Sequence, residues 1–173
     1  MKARLLTYWL TIWCLLTVIN TVAAQDSSRI LSALPLRSLR ITSPFGYRIH
    51  PVTGLRQFHN GVDLRAHRDT VFAVMDGVVV QSGYDRLLGF YVKVAHAMHL
   101  ISIYGHLSFP CVFSGETVTL GQALGLTGCS GRTTGEHLHF SILYNGRYID
   151  PLQFLSKILI IPQSKIQYDT ANF

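Results

Sequence analysis

Glu136-His137-Leu138-His139-Phe140-Ser141-Ile142-Leu143-Tyr144-Asn145-Gly146-Arg147-Tyr148-Ile149 is the stretch whose reading decides the fold. Phe140–Tyr144 and Tyr148-Ile149 flank Asn145-Gly146, a dipeptide that favours the tight turn of a β-hairpin. On a strand, residues two apart face the same way. His137 and His139 therefore share one face, while Leu138 and Phe140 turn to the other, toward a core. One strand thus offers two imidazoles to a pocket and anchors itself by its back.

The same texture extends outward on both sides. From Ile41 to about Leu155 short apolar stretches alternate with turn residues, which predicts an all-β or mainly β domain. Val71–Met75 and Val78–Gln81 flank Asp76-Gly77, so the spacing predicts a second hairpin there. Tyr91–Ala95 and Leu100–Tyr104 read as two more strands. The single helical segment expected is Leu152–Leu159, after Pro151. No internal repeat or low-complexity linker divides the chain. The organisation predicted is residues 41–155 as one domain, 25–40 as a short leader and 156–173 as a loosely held polar tail.

Residues 1–24 read differently. Lys2 and Arg4 precede an apolar run of about 15 residues, shorter than the roughly 20 needed to span a bilayer. Thr21-Val22-Ala23-Ala24 then supplies small residues before Gln25. A basic start, an apolar middle and a small-residue end predict a signal peptide, with an uncleaved anchor as the alternative. Cys14 lies inside the apolar run, away from the cleavage point that lipidation would need. Cys111 and Cys129 remain beyond it, either pairing in an oxidising compartment or packing as buried thiols.

The whole chain carries a formal charge of +6, and removing residues 1–24 takes away Lys2 and Arg4 and no acid, leaving +4. Mild basicity suits an anionic surface such as a cell wall or membrane. No Lys/Arg run and no nucleic-acid module appears, so nucleic acid is not an expected partner.

The chemistry lies in four histidines and one aspartate. His59-Asn60-Gly61-Val62-Asp63 adds an imidazole and a carboxylate around a glycine that permits a turn. Tyr104-Gly105-His106-Leu107 adds another imidazole at the end of an apolar strand. A catalytic zinc takes three nitrogen or oxygen ligands from the protein and keeps a fourth position for water. His-x-His alone is a weak signal. Its combination with His59 and Asp63 makes a metal site the better reading. His50, His67, His96 and His99 are read as structural or exposed, with His96 hydrogen-bonded at a strand end.

These motifs, in order, resemble the lysostaphin- and LytM-like zinc endopeptidases of bacterial cell walls, the M23 peptidases. The resemblance begins at Ser43-Pro44-Phe45-Gly46-Tyr47-Arg48 and runs through His59-Asn60-Gly61-Val62-Asp63, Tyr104-Gly105-His106-Leu107 and Gly121-Gln122-Ala123-Leu124-Gly125. It continues through Thr127-Gly128-Cys129-Ser130-Gly131 and Glu136-His137-Leu138-His139-Phe140 to Ile149-Asp150-Pro151. It implies a mainly antiparallel β core with an active-site groove and little helix, of the duplicated-hybrid-motif kind. It implies one Zn²⁺ per chain held by His59, Asp63 and His139, with His106 and His137 as catalytic imidazoles. The implied activity is hydrolysis of peptide cross-links in peptidoglycan, in the periplasm or at the cell wall. A wall hydrolase of this build could serve growth, division or a secretion or conjugation apparatus. Tyr47, Arg48, Tyr91 and Arg132 are candidate groove residues, although surface packing is the favoured reading of each. The chain departs from the family pattern at Glu136, where proline is frequent, at Ser141, where an acid often stands, and at Cys129. A non-catalytic activator of a wall amidase is the main alternative, and a carbohydrate- or lipid-binding β domain the second.

Overall fold

A computed structural model describes residues 33–49, 54–159 and 166–168. The signal-peptide reading of 1–24, residues 25–32 of the leader and His50 lie outside the described residues.

Chain order runs β1 (Leu39–Ser43), β2 (Gly46–Ile49), β3 (Arg56–His59), β4 (Val62–Arg65), β5 (Thr70–Phe72) and β6 (Gly77–Asp85). It continues with β7 (Gly89–Ala95), β8 (Leu100–Pro110), β9 (Thr117–Val118), β10 (Ala123–Thr127), β11 (His137–Tyr144) and β12 (Arg147–Ile149). A helix, α1 (Pro151–Ile158), and β13 (Ile166–Tyr168) follow. The main sheet runs β13-β1-β4-β11-β8-β7-β6-β9, with β10 and β12 joined at its sides, and β2–β3 form a separate two-stranded arm. Every pairing is antiparallel except β1 with β13. The mainly β, antiparallel architecture with little helix is the one expected.

The sheet has one dry face. Leu64, Leu138, Phe140, Ile142, Tyr104 and Val92 alternate with groove-facing residues along β4, β11, β8 and β7, and all are fully buried. The Asn145-Gly146 hairpin forms as predicted. Ile142 pairs with Ile149, and Asn145 and Gly146 both have positive φ, 49° and 74°. That double left-handed geometry matches the twist of the flanking strands. The helix starts at Asp150, whose Oδ1 accepts from the amides of Leu152 and Gln153 at 2.9 and 3.3 Å, with Pro151 in the first turn. It buries Phe154 and Leu155 against the core.

The predicted hairpin at Asp76-Gly77 does not form. β5 pairs with β10, and β6 pairs with β7 and β9. The backbone around Val74 is satisfied elsewhere: its amide donates to the Tyr104 hydroxyl at 3.0 Å and its carbonyl accepts from Ala33 at 2.7 Å. Val71, Ala73, Val74 and Met75 are all buried, so this apolar run is a core crossing rather than one arm of a hairpin. The ends of the chain are also more engaged than their composition predicts. Leu36 and Leu39 in the leader are buried, and β13 in the tail extends the sheet beside β1.

Candidate active site

Register brings the key side chains together. His139 on β11 lies opposite Asp63 on β4 and opposite Gly105 on β8. His59 ends β3, and Asn60-Gly61 returns the chain into β4. A Cβ at Gly61 would collide with the Phe140 carbonyl oxygen and lie 2.9 Å from His139 Cε1. Glycine is needed there for close approach to β11, which brings His59 over the end of Asp63's strand.

His59, Asp63 and His139 are each 9% exposed. Asp63 Oδ1 lies 2.9 Å from His139 Nδ1 and 3.2 Å from His59 Nε2, and those two nitrogens are 3.2 Å apart. One ligand atom from each of the three falls within 4.8 Å of the others, a set able to hold a metal ion.

The far side of each ring explains which atom faces inward. His59 Nδ1 donates to the Pro44 carbonyl at 2.8 Å, so in the neutral ring Nε2 carries the lone pair. His139 Nε2 is 2.9 Å from Ser141 Oγ, which leaves Nδ1 toward Asp63. Burial would raise the Asp63 carboxyl, but hydrogen bonds with His137, His139 and His59 outweigh it and hold it well below the usual carboxylate value. Burial lowers His139 from its ordinary value, with Asp63 opposing. Two ring nitrogens and one carboxylate oxygen thus converge on one point, and a divalent cation taking the place of the shared protons fits that donor set.

A second pair of imidazoles stands beside this set. The His106 and His137 ring centroids are 4.7 Å apart, and His137 Nε2 is 3.5 Å from Asp63 Oδ1. His106 reaches the groove through an irregularity. Tyr104 and Leu107 both join the hydrophobic core, although regular alternation would turn residues three apart to opposite faces. β8 inserts one residue opposite Tyr91 of β7, since Phe90 pairs with Leu107 and Val92 with Tyr104. His106 sits in that bulge at φ +58°, a conformation that strains a non-glycine residue. Its amide donates to the Leu88 carbonyl at 2.6 Å and its Nδ1 to the Ser130 carbonyl at 2.8 Å.

The two rings differ electrostatically. Burial, then the neighbouring His137, lowers the pKa of His106 to about 4. Burial also pulls His137 down, but hydrogen bonding and attraction to Asp63 outweigh it, and the net direction is up. His137 Nδ1 donates to the Gly135 carbonyl at 2.9 Å, with Thr133 Oγ1 at 3.2 Å.

The five residues open onto a groove of about 420 Å³. Arg48 and Arg132 line it, against the surface-packing reading favoured for them; Tyr47 and Tyr91 do not. Arg48 Nη2 lies 3.6 Å from Asp63 Oδ2. Ser141, noted in the sequence only as a departure from a family pattern, proves to be the hydroxyl on His139. Its signal was the strand period, since residue 141 must share the face of 139. Glu136 accepts from the Arg68 amide and from His67 Nδ1 at 3.1 Å, tying the loop after β4 to the start of β11. His96 bonds Ser102 Oγ at 2.7 Å and the Asp76 carbonyl at 2.8 Å, the strand-end role expected of it. Cys111 and Cys129 are free and exposed, so neither the bridge nor the buried-thiol reading describes them.

Residues 57–151 match the sequence profile of Peptidase family M23. The chain belongs to this family. Among curated M23-like relatives, it is 42% identical over 119 residues to peptidoglycan DD-endopeptidase ShyC of Vibrio cholerae, covering 68% of this chain and 28% of ShyC. It is 39% identical over 119 residues to DD-carboxypeptidase/endopeptidase Mpg of Neisseria meningitidis, covering 68% and 27%. The chain therefore spans little more than a quarter of these relatives' length. Among solved structures, the catalytic domain of the antimicrobial peptidase lysostaphin from Staphylococcus simulans superposes with a TM-score of 0.62 at 27% identity, over 68% of this chain and 92% of that one.

Proposed function

We propose that this chain is a zinc-dependent endopeptidase that hydrolyses peptide cross-links of peptidoglycan. The observation that carries the proposal is the convergence of His59, Asp63 and His139 on one point, with His106 and His137 beside it. Relatives named as peptidoglycan DD-endopeptidases support the substrate, and favour direct cross-links over glycine bridges. A zinc-containing peptidase from Vibrio cholerae, 32% identical with a TM-score of 0.56, supports the choice of metal.

His59 Nε2, Asp63 and His139 Nδ1 would hold one Zn²⁺. When bound, zinc supplies a Lewis acid for the scissile carbonyl and a water of lowered pKa. The rest falls to this chain's side chains. His106 is neutral across the physiological range, and its Nδ1–H is fixed on Ser130, so Nε2 is the acceptor that takes the proton of the attacking water. His137, held at Nδ1 by the Gly135 carbonyl, turns Nε2 toward Asp63 and the groove, where the ring is placed to stabilise the developing oxyanion and to assist the leaving amine. Hydrogen bonds to Ser130 and Gly135 hold both rings in orientation before substrate arrives.

Residues 41–155 are proposed as the peptidase domain. Export by the 1–24 segment would place the enzyme in the periplasm or at the wall, where it could open the mesh for growth or for a secretion or conjugation apparatus. Chelation followed by zinc return, with mass identification of products from directly cross-linked and glycine-bridged walls, tests the reading. We expect zinc-dependent release of uncross-linked fragments from the direct type. Wall cleavage only when an amidase is added would instead favour the activator alternative.

A further inference from the structure

The floor of the groove carries a cation that the reaction above does not use. Below the row Asp63–His139–Gly105 lies a second row across three strands, in which Ser141 pairs with Ile103 and Ile103 with Lys93. Directly paired residues share a face, and all three line the same groove as the histidines. Ile103 is 3% exposed, so the floor at its centre is apolar. Lys93 is half-buried at its far end, about 10 Å from Ser141 across two strand spacings. A flexible four-carbon stem carries its ammonium.

Lys93 has no carboxylate within salt-bridge distance among the described residues. Its recorded partner is the Tyr91 ring, with Nζ 5.2 Å from the centroid. The two carboxylates lining the groove are already engaged. Asp63 faces three imidazoles, and Asp85 Oδ1 accepts from the Leu87 and Leu88 amides at 2.7 Å each. A partly desolvated ammonium on an apolar floor, one row from the metal-ligand set, is positioned for an anionic group of the substrate.

We propose that Lys93 determines specificity by binding a substrate carboxylate close to the scissile bond. This rests on the endopeptidase reading above. In a direct cross-link through a diamino dicarboxylic acid, the carbon bearing the scissile nitrogen also carries a free carboxylate. A glycine bridge has no such group. Lys93 would thus select acidic direct cross-links over glycine bridges and over cross-links whose carboxylate is amidated.

The test compares the purified chain with Lys93→Met and Lys93→Arg on three cross-linked muropeptides. One carries the free acid beside the scissile nitrogen, one its amide, and one an amide at the peptide end instead. For Lys93→Met we expect KM on the free acid to rise about tenfold, the loss of roughly one charge-assisted contact. Its kcat and zinc content should stay as in the parent. KM on the adjacent amide should not change, the end-amidated substrate should behave like the free acid, and Lys93→Arg should restore the low KM. Equal KM changes on all three substrates, no change on any, or an effect that follows the peptide-end amide overturns the role of Lys93 while leaving hydrolysis intact. Failure of the zinc-loaded parent to cleave any of the three overturns the endopeptidase reading and this proposal with it.

Discussion

The groove holds two pairs of histidines that differ in what lies between them. His59 and His139 share the Asp63 carboxylate and turn one ring nitrogen each to one point, with their outer nitrogens held by Pro44 and Ser141. His106 and His137 face each other edge-on at 4.7 Å with their outer nitrogens on backbone carbonyls, and their pKa values are pushed in opposite directions. The first arrangement suits coordination and the second suits proton transfer. The same residue type, at nearly the same depth, is divided between two tasks by the position of one carboxylate. Backbone regularity divides along a similar line. Asp63 and His139 sit on paired strands in register, whereas His106 depends on a bulge and a left-handed backbone.

The largest effect should come from removing the shared carboxylate. Asp63→Ala leaves two imidazoles without their anion, and we expect loss of stoichiometric zinc and of wall cleavage to background. Full zinc occupancy, read by elemental analysis, would erase the distinction between the pairs. Next in size, His106→Ala and His137→Ala should keep zinc and lower kcat by about 10²–10⁴, the usual scale for a positioned acid or base. Zinc loss in either variant would move that residue into the ligand set. Ser141→Ala should weaken metal affinity by about 10–100-fold, the range for outer partners of metal ligands, with little change in kcat at saturating zinc. Competition with a chromophoric chelator measures it.

The smallest effect sharpens the contrast from the other side. His106 has a folded pKa of about 4, below its ordinary value of 6.5. Between those values the unfolded chain binds more protons at this residue, so its contribution makes stability fall as pH drops through the window. His137, shifted upward, contributes in the opposite sense. Metal-free His106→Asn should therefore lose less Tm than the parent between pH 6.5 and pH 4. An equal loss in both, followed by thermal melts, would show that burial does not hold His106 neutral.

Some of this was legible from local pattern. Alternation in Leu138–Ile142 and the Asn145-Gly146 turn specify a strand, its dry face and its hairpin without reference to the rest of the chain. His139 and its neighbour two positions earlier follow from the same period. By contrast, the apolar run at Val71–Met75 looks like a strand next to a turn. Its partners are β10, Gln122 and the Tyr104 hydroxyl, all distant in sequence. β13 pairs beside β1 from across the chain, and the polar residues around it in the tail hide that edge contact. The bulge at His106 is invisible to a period-two reading, because it shows in the pairing of β7 with β8 and in the left-handed backbone at His106.

By itself the amino-acid sequence determined the β class and the hairpin around Asn145-Gly146, and it singled out five candidate residues for the site. Those rest on side-chain chemistry and on periods of a few residues, which are local properties of the chain. Tertiary structure alone decided that His59 and Asp63 meet His139, that His106 turns into the groove, that Ser141 holds a ring, and that Lys93 stands on the groove floor beside the Tyr91 ring. Each of these depends on which strands become neighbours and in what register. Long-range burial and hydrogen bonding set that choice, and no short window of sequence contains it.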